Sequence, residues 1–246
     1  MKKALLIFTL LLCVTFSGFA QNNIITVPVP EIVPKKKVYV QPGVVVNRNL
    51  AQFGTIVSYG LGANFQAGIT ITDVTTNFGP EETFFPIDSV KPGLNPDVLV
   101  NFSKGWKLSK GTWLGIGTMS GFNVADNGAD FSSFNYFNGQ TKIFKDNLVL
   151  LGVYYGNDTR LVTKEGKFGL LAGFKVPLSK KWSFAGDYIS GNNARSYINT
   201  GFGYKITSHW AAYGGAVIPA PDSGNKLAGT LQFRYLGGKE KKKKKP

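Results

Sequence analysis

Cysteine is almost absent from this chain. The one thiol, Cys13, lies in an apolar stretch near the start, so the remainder has no disulfide framework and no cysteine metal site. Histidine is equally scarce. His209 follows Ser208 in a polar turn, and a neighbour in sequence is not a nucleophile held at hydrogen-bonding range, so no catalysis is expected and the chain is read as not an enzyme. With no histidine or cysteine cluster, neither a metal nor a cofactor is expected; Glu81, Glu82 and Asp88 would offer a hard cation no more than loose contact. Charged residues make up 17%, and after the first 20 residues no apolar run reaches the length of a membrane-crossing helix.

The formal charge of +14 invites a nucleic-acid partner, but its distribution argues against one. Lys35 to Lys37 and the lysines from 239 to 245 hold much of the excess, leaving about 17 basic and about 12 acidic residues between 38 and 238. No nucleic-acid motif accompanies these runs, so no nucleic-acid partner is expected. The glycine pairs Gly60 and Gly62, Gly115 and Gly117, Gly201 and Gly203 are not phosphate loops, because no helical pattern follows them. They are read as easing wall curvature or making room inside a sheet.

What the chain does have is ordered by segment. Residues 1–20 combine a basic start, an apolar middle and the small-residue exit Ser17-Gly-Phe-Ala20, the pattern of a cleavable signal peptide. Residues 21–37 contain Pro28, Pro30 and Pro34 and then three lysines, which read as an extended spacer. Residues 38–236 form one folded unit, and residues 237–246 form a lysine-rich, solvated tail.

Within the folded unit, side chains alternate in character. In the run from Lys167, Phe168, Leu170, Ala172, Phe174 and Val176 share one parity, while Lys167, Gly169, Leu171, Gly173 and Lys175 share the other. Strand side chains point alternately to opposite faces, so one face meets an apolar phase. Runs near 38–46, 53–61, 65–74, 95–105, 112–121, 131–142, 147–157, 167–177, 182–191, 195–206, 210–219 and 226–236 give about twelve strands. Pro42 interrupts the first and fits an edge-like start or a bulge. Short connections near 62–64, 106–111, 145–146, 179–181 and 207–209 alternate with longer ones near 74–95, 121–130, 157–165, 191–194 and 220–225. An antiparallel up-and-down transmembrane β-barrel puts its short turns at one end and its longer loops at the other.

Trp106, Trp113, Trp182 and Trp210 all adjoin short turns, as an aromatic interface belt would, and Phe131, Tyr154, Tyr155 and Tyr188 are expected to form a second girdle. The last run places Leu227, Gly229, Leu231, Phe233 and Tyr235 on one face and Lys226, Ala228, Thr230, Gln232 and Arg234 on the other. This ending, after a leader and a β-meander, resembles the C-terminal insertion signal of Gram-negative outer-membrane β-barrel proteins. The likeness covers nearly the whole mature chain as pattern, and the chain departs from it by continuing past Tyr235 into the lysine tail.

The resemblance implies an outer-membrane location with short turns and both termini periplasmic, and outer-membrane lipid and the barrel-insertion machinery as partners. Following the parities, the lumen is expected to hold Asp97, Asn101, Lys167, Lys175, Asp187, Asn199, Lys205, Gln232 and Arg234, polar and mildly basic. The reading is a porin-like passive pore or small-solute transporter for small anionic or neutral solutes. Its alternatives are a non-conducting structural barrel whose charges fill the bore, and a secreted soluble β-barrel binding an apolar ligand.

Overall fold

A computed structural model describes residues 23–78, 96–125, 128–144, 146–162, 166–221, 223 and 225–237. The signal peptide, the loop bearing Glu81, Glu82 and Asp88, and the lysine tail lie outside the described residues. Twelve strands form the wall: β1 (Val38–Val46), β2 (Leu50–Gly62), β3 (Phe65–Asn77), β4 (Asp97–Ser109), β5 (Thr112–Ala125), β6 (Gly128–Ile143), β7 (Asn147–Gly156), β8 (Phe168–Pro177), β9 (Trp182–Ile189), β10 (Tyr197–Lys205), β11 (Trp210–Pro219) and β12 (Ala228–Gly237). A four-residue helix, α1 (Asp158–Leu161), lies between β7 and β8.

Each strand pairs antiparallel with its sequence neighbours, and β1 pairs with β12 to close the barrel. Closure leaves no unpaired sheet edge, the condition for crossing a bilayer with strands. At the seam, Val40 faces Tyr235 and Gly43 faces Gln232, while Gln41 and Pro42 drop out of the β12 ladder; on the other side Pro42 stays in register with Thr55 of β2. A proline without an N–H donor thus sits inside a closed wall at a two-residue gap in its ladder.

Residues 63–64, 110–111, 144–146, 178–181 and 206–209 make the connections at one end, where β1 begins and β12 ends. This is called the turn end. The opposite, loop end does not carry uniformly long loops: β1 and β2 are joined by residues 47–49, and β5 and β6 by residues 126–127. The stretch 121–130, expected as a loop, is a hairpin whose pairing continues through Phe122↔Phe131 to Ala125↔Gly128. Its polar residues follow from what they face: Asn123 Nδ2 donates to Asp97 Oδ1 at 3.0 Å.

The outer surface is apolar along every strand. Phe53, Ile69, Val100, Phe102, Ile116, Phe137, Leu151, Val153, Leu170, Phe202, Leu231 and Phe233 are all exposed on the isolated chain. A band of this extent has no place on a water-facing surface and suits lipid tails.

Residues 23–34, expected as a spacer leading up to the barrel, run inside it instead. Ile24, Ile25, Val27, Val29 and Val33 are buried, and the first four pack with Leu148, Leu150, Leu171, Ala185, Ile189 and Tyr213 on the inner wall. The segment turns back on itself, with an Asn23↔Pro28 bridge and Ile24 N–H donating to Val27 at 2.9 Å. It joins the wall at the turn end, where Lys36 N–H donates to Gly60 and Gly60 N–H to Lys37. Prolines at 28, 30 and 34 suit this course, since an extended segment running through a bore has no ladder to donate to.

Inner-wall glycines make the groove. A Cβ on Gly115 would stand 2.6 Å from Pro30 Cβ, and one on Gly105 would stand 2.8 Å from Ile32 Cγ1. Both glycines are therefore required by the close approach of the segment.

Candidate functional site

The bore is organised around two sets of contacts. The first holds the inserted segment. Asp187, 3% exposed on β9, accepts backbone N–H bonds from Ile25 (2.8 Å), Thr26 (2.6 Å) and Val27 (2.8 Å) on one oxygen. Its other oxygen accepts from Thr26 Oγ1 at 3.2 Å and from Asn199 Nδ2 at 2.9 Å. Arg234 on β12, three strands away around the wall, donates to the carbonyls of Asn23 (3.0 Å) and Ile24 (2.6 Å). Gln41 Nε2 donates to Ile25 O, Asn138 Nδ2 to Pro28 O at 2.5 Å, and Val33 N–H to Gln66 Oε1 at 2.8 Å. The donors and acceptors that a sheet would have satisfied are met by side chains of five strands.

The second set lies toward the loop end. Asp73 and Asp97 point inward and meet Arg160 of α1 and Arg195 of the β9–β10 loop. Arg160 Nη1 lies 3.2 Å from Asp73 and also pairs with Asp97; Arg195 Nη2 lies 2.5 Å from Asp73 and 3.5 Å from Asp97. Two carboxylates and two guanidinium groups leave the cluster formally neutral. Burial opposes the Arg195 charge, yet the Asp73 carboxylate beside it and then Asp97 hold its pKa above the ordinary arginine value. Helix α1 is placed by Asn157, whose side chain accepts from Arg160 N–H at 3.1 Å and donates to Phe131 O at 2.7 Å.

Asp73 was not legible from parity. On β3, Phe65, Ala67, Ile69 and Ile71 face outward, and strict alternation would send residue 73 the same way. A bulge intervenes: pairing passes from Thr55↔Ile71 to Phe53↔Val74, so β3 carries one extra residue, and Asp73 adopts φ 64°. The extra residue swaps the faces and turns the carboxylate into the bore.

Of the residues expected in the lumen, Asp97, Asn101, Asp187, Asn199, Gln232 and Arg234 take part in these inner contacts; Asn101 Nδ2 donates to Thr70 Oγ1 at 2.8 Å, and Gln232 Oε1 accepts from Gln41 at 3.0 Å. Lys175 and Lys205 are half-buried on inward parities toward the turn end. Lys167 is placed differently. It precedes β8, and its Nζ pairs with Asp158 at 2.9 Å among the loops, where that hydrogen bond and charge raise its pKa. The inner wall is also less polar than expected, because Leu148, Leu150 and Leu171 supply the apolar surface on which the inserted segment packs.

The aromatic belt needs one correction. Trp106, Trp182 and Trp210 are exposed on the outside at the turn end, with Trp182 4.7 Å from Tyr204 and Trp210 4.8 Å from Tyr235 between ring centroids. Trp113 instead shares the bore-facing parity of Gly115 and Gly117, and Lys107 Nζ stands 5.9 Å from its ring centroid. Proximity to a turn did not reveal which way it faced. In the second girdle, Phe131, Tyr155 and Tyr188 are exposed, but Tyr154 is buried, and its hydroxyl donates to Ser190 O at 2.5 Å. His209 lies in the β10–β11 turn, where Nδ1 is 2.9 Å from Ser208 Oγ, at the turn end and in neither set of contacts.

No protein-family model and no curated protein matches the chain. Among solved structures, the KdgM porin is similar with a TM-score of 0.55 at 11% identity, covering 80% of this chain and 98% of that one. The KdgM porin in complex with disordered oligogalacturonate gives 0.52 at 10% identity, with the same coverage. The NanC porin gives 0.51 at 13% identity over 82% of this chain and all of that one. Identities this low speak to architecture alone, and on that ground the chain has the closed β-barrel fold of porins.

Proposed function

We propose that the chain is a bacterial outer-membrane barrel that passes small neutral or anionic solutes and is stoppered at rest by its own residues 23–34. The observation that carries this reading is the Asp187 carboxylate accepting three consecutive backbone N–H groups of the segment. A carboxylate so engaged is a dock for a peptide, and a barrel that served as a scaffold alone would need none. The lipid-facing band and the likeness to porins support the membrane setting, with outer-membrane lipid and insertion machinery as partners. The turn end, carrying Lys35, Lys36, Lys37, Lys107, Lys110, Lys180 and Lys181, would be periplasmic along with both termini.

Planar-bilayer conductance tests the reading. Protein lacking residues 21–34 should conduct steadily, while the full-length mature chain should remain mostly closed with brief openings. A second reading, a non-conducting structural barrel, is favoured by the arginine and aspartate cluster whose ion pairs stand inside the bore toward the loop end. If the truncated barrel folds, shown by heat-modifiable gel mobility, and carries no current, the second reading replaces the first.

A further inference from the structure

We propose that the outer wall carries a binding site for one anionic phospholipid, its phosphate on Lys104 and one acyl chain in the groove that leads away from it. The proposal needs the lipid-facing wall alone and stands whether or not the bore conducts. Strand pairing assigns a face to each residue of the wall, and among the described residues Lys104 is the one charged side chain on an outward strand position. It shares its face of β4 with Phe102 and Trp106, both exposed on the outside, and stands opposite Phe65 of β3. Its Nζ lies 4.3 Å from the Phe65 ring centroid and 5.5 Å from that of Trp106. No carboxylate pairs with it among the described residues. A cation at the lipid boundary without a protein counter-charge is met by an anion of the bilayer. In a zwitterionic lipid the phosphate is already balanced by the headgroup's own ammonium. In phosphatidylglycerol it is not, so the lysine selects the anionic lipid.

A groove of about 460 Å³ begins at Lys104 and crosses the outside of β5, β6 and β7 to Phe168 of β8. Register lays its floor in two rows. Ile116, Phe137 and Val153 continue from Lys104 across successive strands, and Thr118, Asn135, Tyr155 and Phe168 continue from Phe102. Lys104 is two residues from Trp106 of the turn-end belt, whereas Phe168 opens β8 at the loop end, so the groove leads obliquely from the belt into the apolar band. At about 4.8 Å from strand to strand, β4 to β8 spans about 19 Å, more than half of a hydrocarbon core of about 30 Å and room for a chain of one leaflet. The two polar members of the floor are engaged with neighbours. Thr118 Oγ1 is 2.8 Å from Ser120 Oγ, which is 3.0 Å from Ser133 Oγ, and Asn135 Nδ2 donates to Ser133 Oγ at 3.1 Å. A positive charge at one end and a largely apolar channel beyond it match an anionic headgroup and its chain.

The test uses the folded full-length mature barrel in detergent, titrated with phosphatidylglycerol and phosphatidylethanolamine of the same long acyl chains and read as retained lipid by native mass spectrometry. Phosphatidylglycerol should be retained about fivefold more than phosphatidylethanolamine. Lys104→Gln should remove that preference. Lys181→Gln takes away another turn-end lysine, 5.8 Å from the Tyr204 ring centroid and outside the groove, and should leave the preference in place. Lys104 points out of the wall, so Lys104→Gln should keep its heat-modifiable mobility. With the wild type, short-chain phosphatidylglycerol should be retained about tenfold less than the long-chain lipid, because it leaves the groove unfilled. Equal retention of the two headgroups by the wild type, or an undiminished preference in Lys104→Gln, would overturn the site. An equal loss in Lys181→Gln would overturn it as well, by showing a diffuse attraction to the lysine-rich end, and so would equal retention of short and long chains.

Discussion

Asp187→Ala is the perturbation that isolates the stopper from the wall. The substitution leaves the β9 backbone ladder intact but strips the acceptor from three N–H groups at 2.6 to 2.8 Å, those of Ile25 and Val27 buried and that of Thr26 part-buried. A buried donor left without a partner costs about 1–3 kcal/mol. Taking the lower figure for each, because water can follow the shortened side chain, gives about 3 kcal/mol against the docked state. At about 1.4 kcal/mol per factor of ten, the equilibrium between docked and released segment should shift about a hundredfold toward release. Asp187→Asn keeps one acceptor oxygen and should shift it less. The assay pairs single-channel open probability with the rate at which an added protease cleaves within residues 23–34. Both should rise in the order wild type, Asn, Ala. If Asp187→Ala changes neither by more than about twofold while the barrel keeps its heat-modifiable mobility, the carboxylate does not hold the segment and the docking argument fails.

Three further outcomes follow from the same geometry. Gly115→Val should expel the segment without opening the wall, since the new side chain would occupy the place of Pro30; cleavage within residues 23–34 should rise while melting of the barrel shifts little. Leu151, 66% exposed in the middle of β7, faces lipid, so Leu151→Arg should cost about 2–4 kcal/mol of folding free energy in bilayer titrations, and a cost near zero would argue against lipid on that face. Asp97→Leu leaves Arg160 with Asp73 as its one remaining carboxylate; loss of a partner from a buried pair costs about 3–5 kcal/mol, reduced here by that second contact, and should appear as faster proteolysis of the loop holding α1.

Strand number, antiparallel pairing and most strand boundaries were legible because lipid imposes one requirement on every outward position. The run read at 38–46 is β1 without change, and that at 210–219 is β11. Where alternation is interrupted, the reading lost its footing: the bulge at Asp73 reverses the faces of β3, and a period of two cannot register an added residue. The interior was harder for a different reason. An outward residue answers to a uniform solvent, but an inward one answers to whatever fills the bore, and nothing local in the sequence says that Asp187 meets residues 160 positions away. The signals that existed were indirect. Val27, Val29 and Val33 are more apolar than a solvated spacer requires, and the glycines at 105 and 115 reserve room on the inner wall for an occupant.

The seam has a consequence for assembly. Arg234 belongs to the last strand made and grips carbonyls of the first described residues, while that same strand closes the cylinder against β1. The strand that seals the seam thus also carries one of the grips on the amino-terminal residues, and a chain stalled before β12 is complete would have neither a closed wall nor that grip.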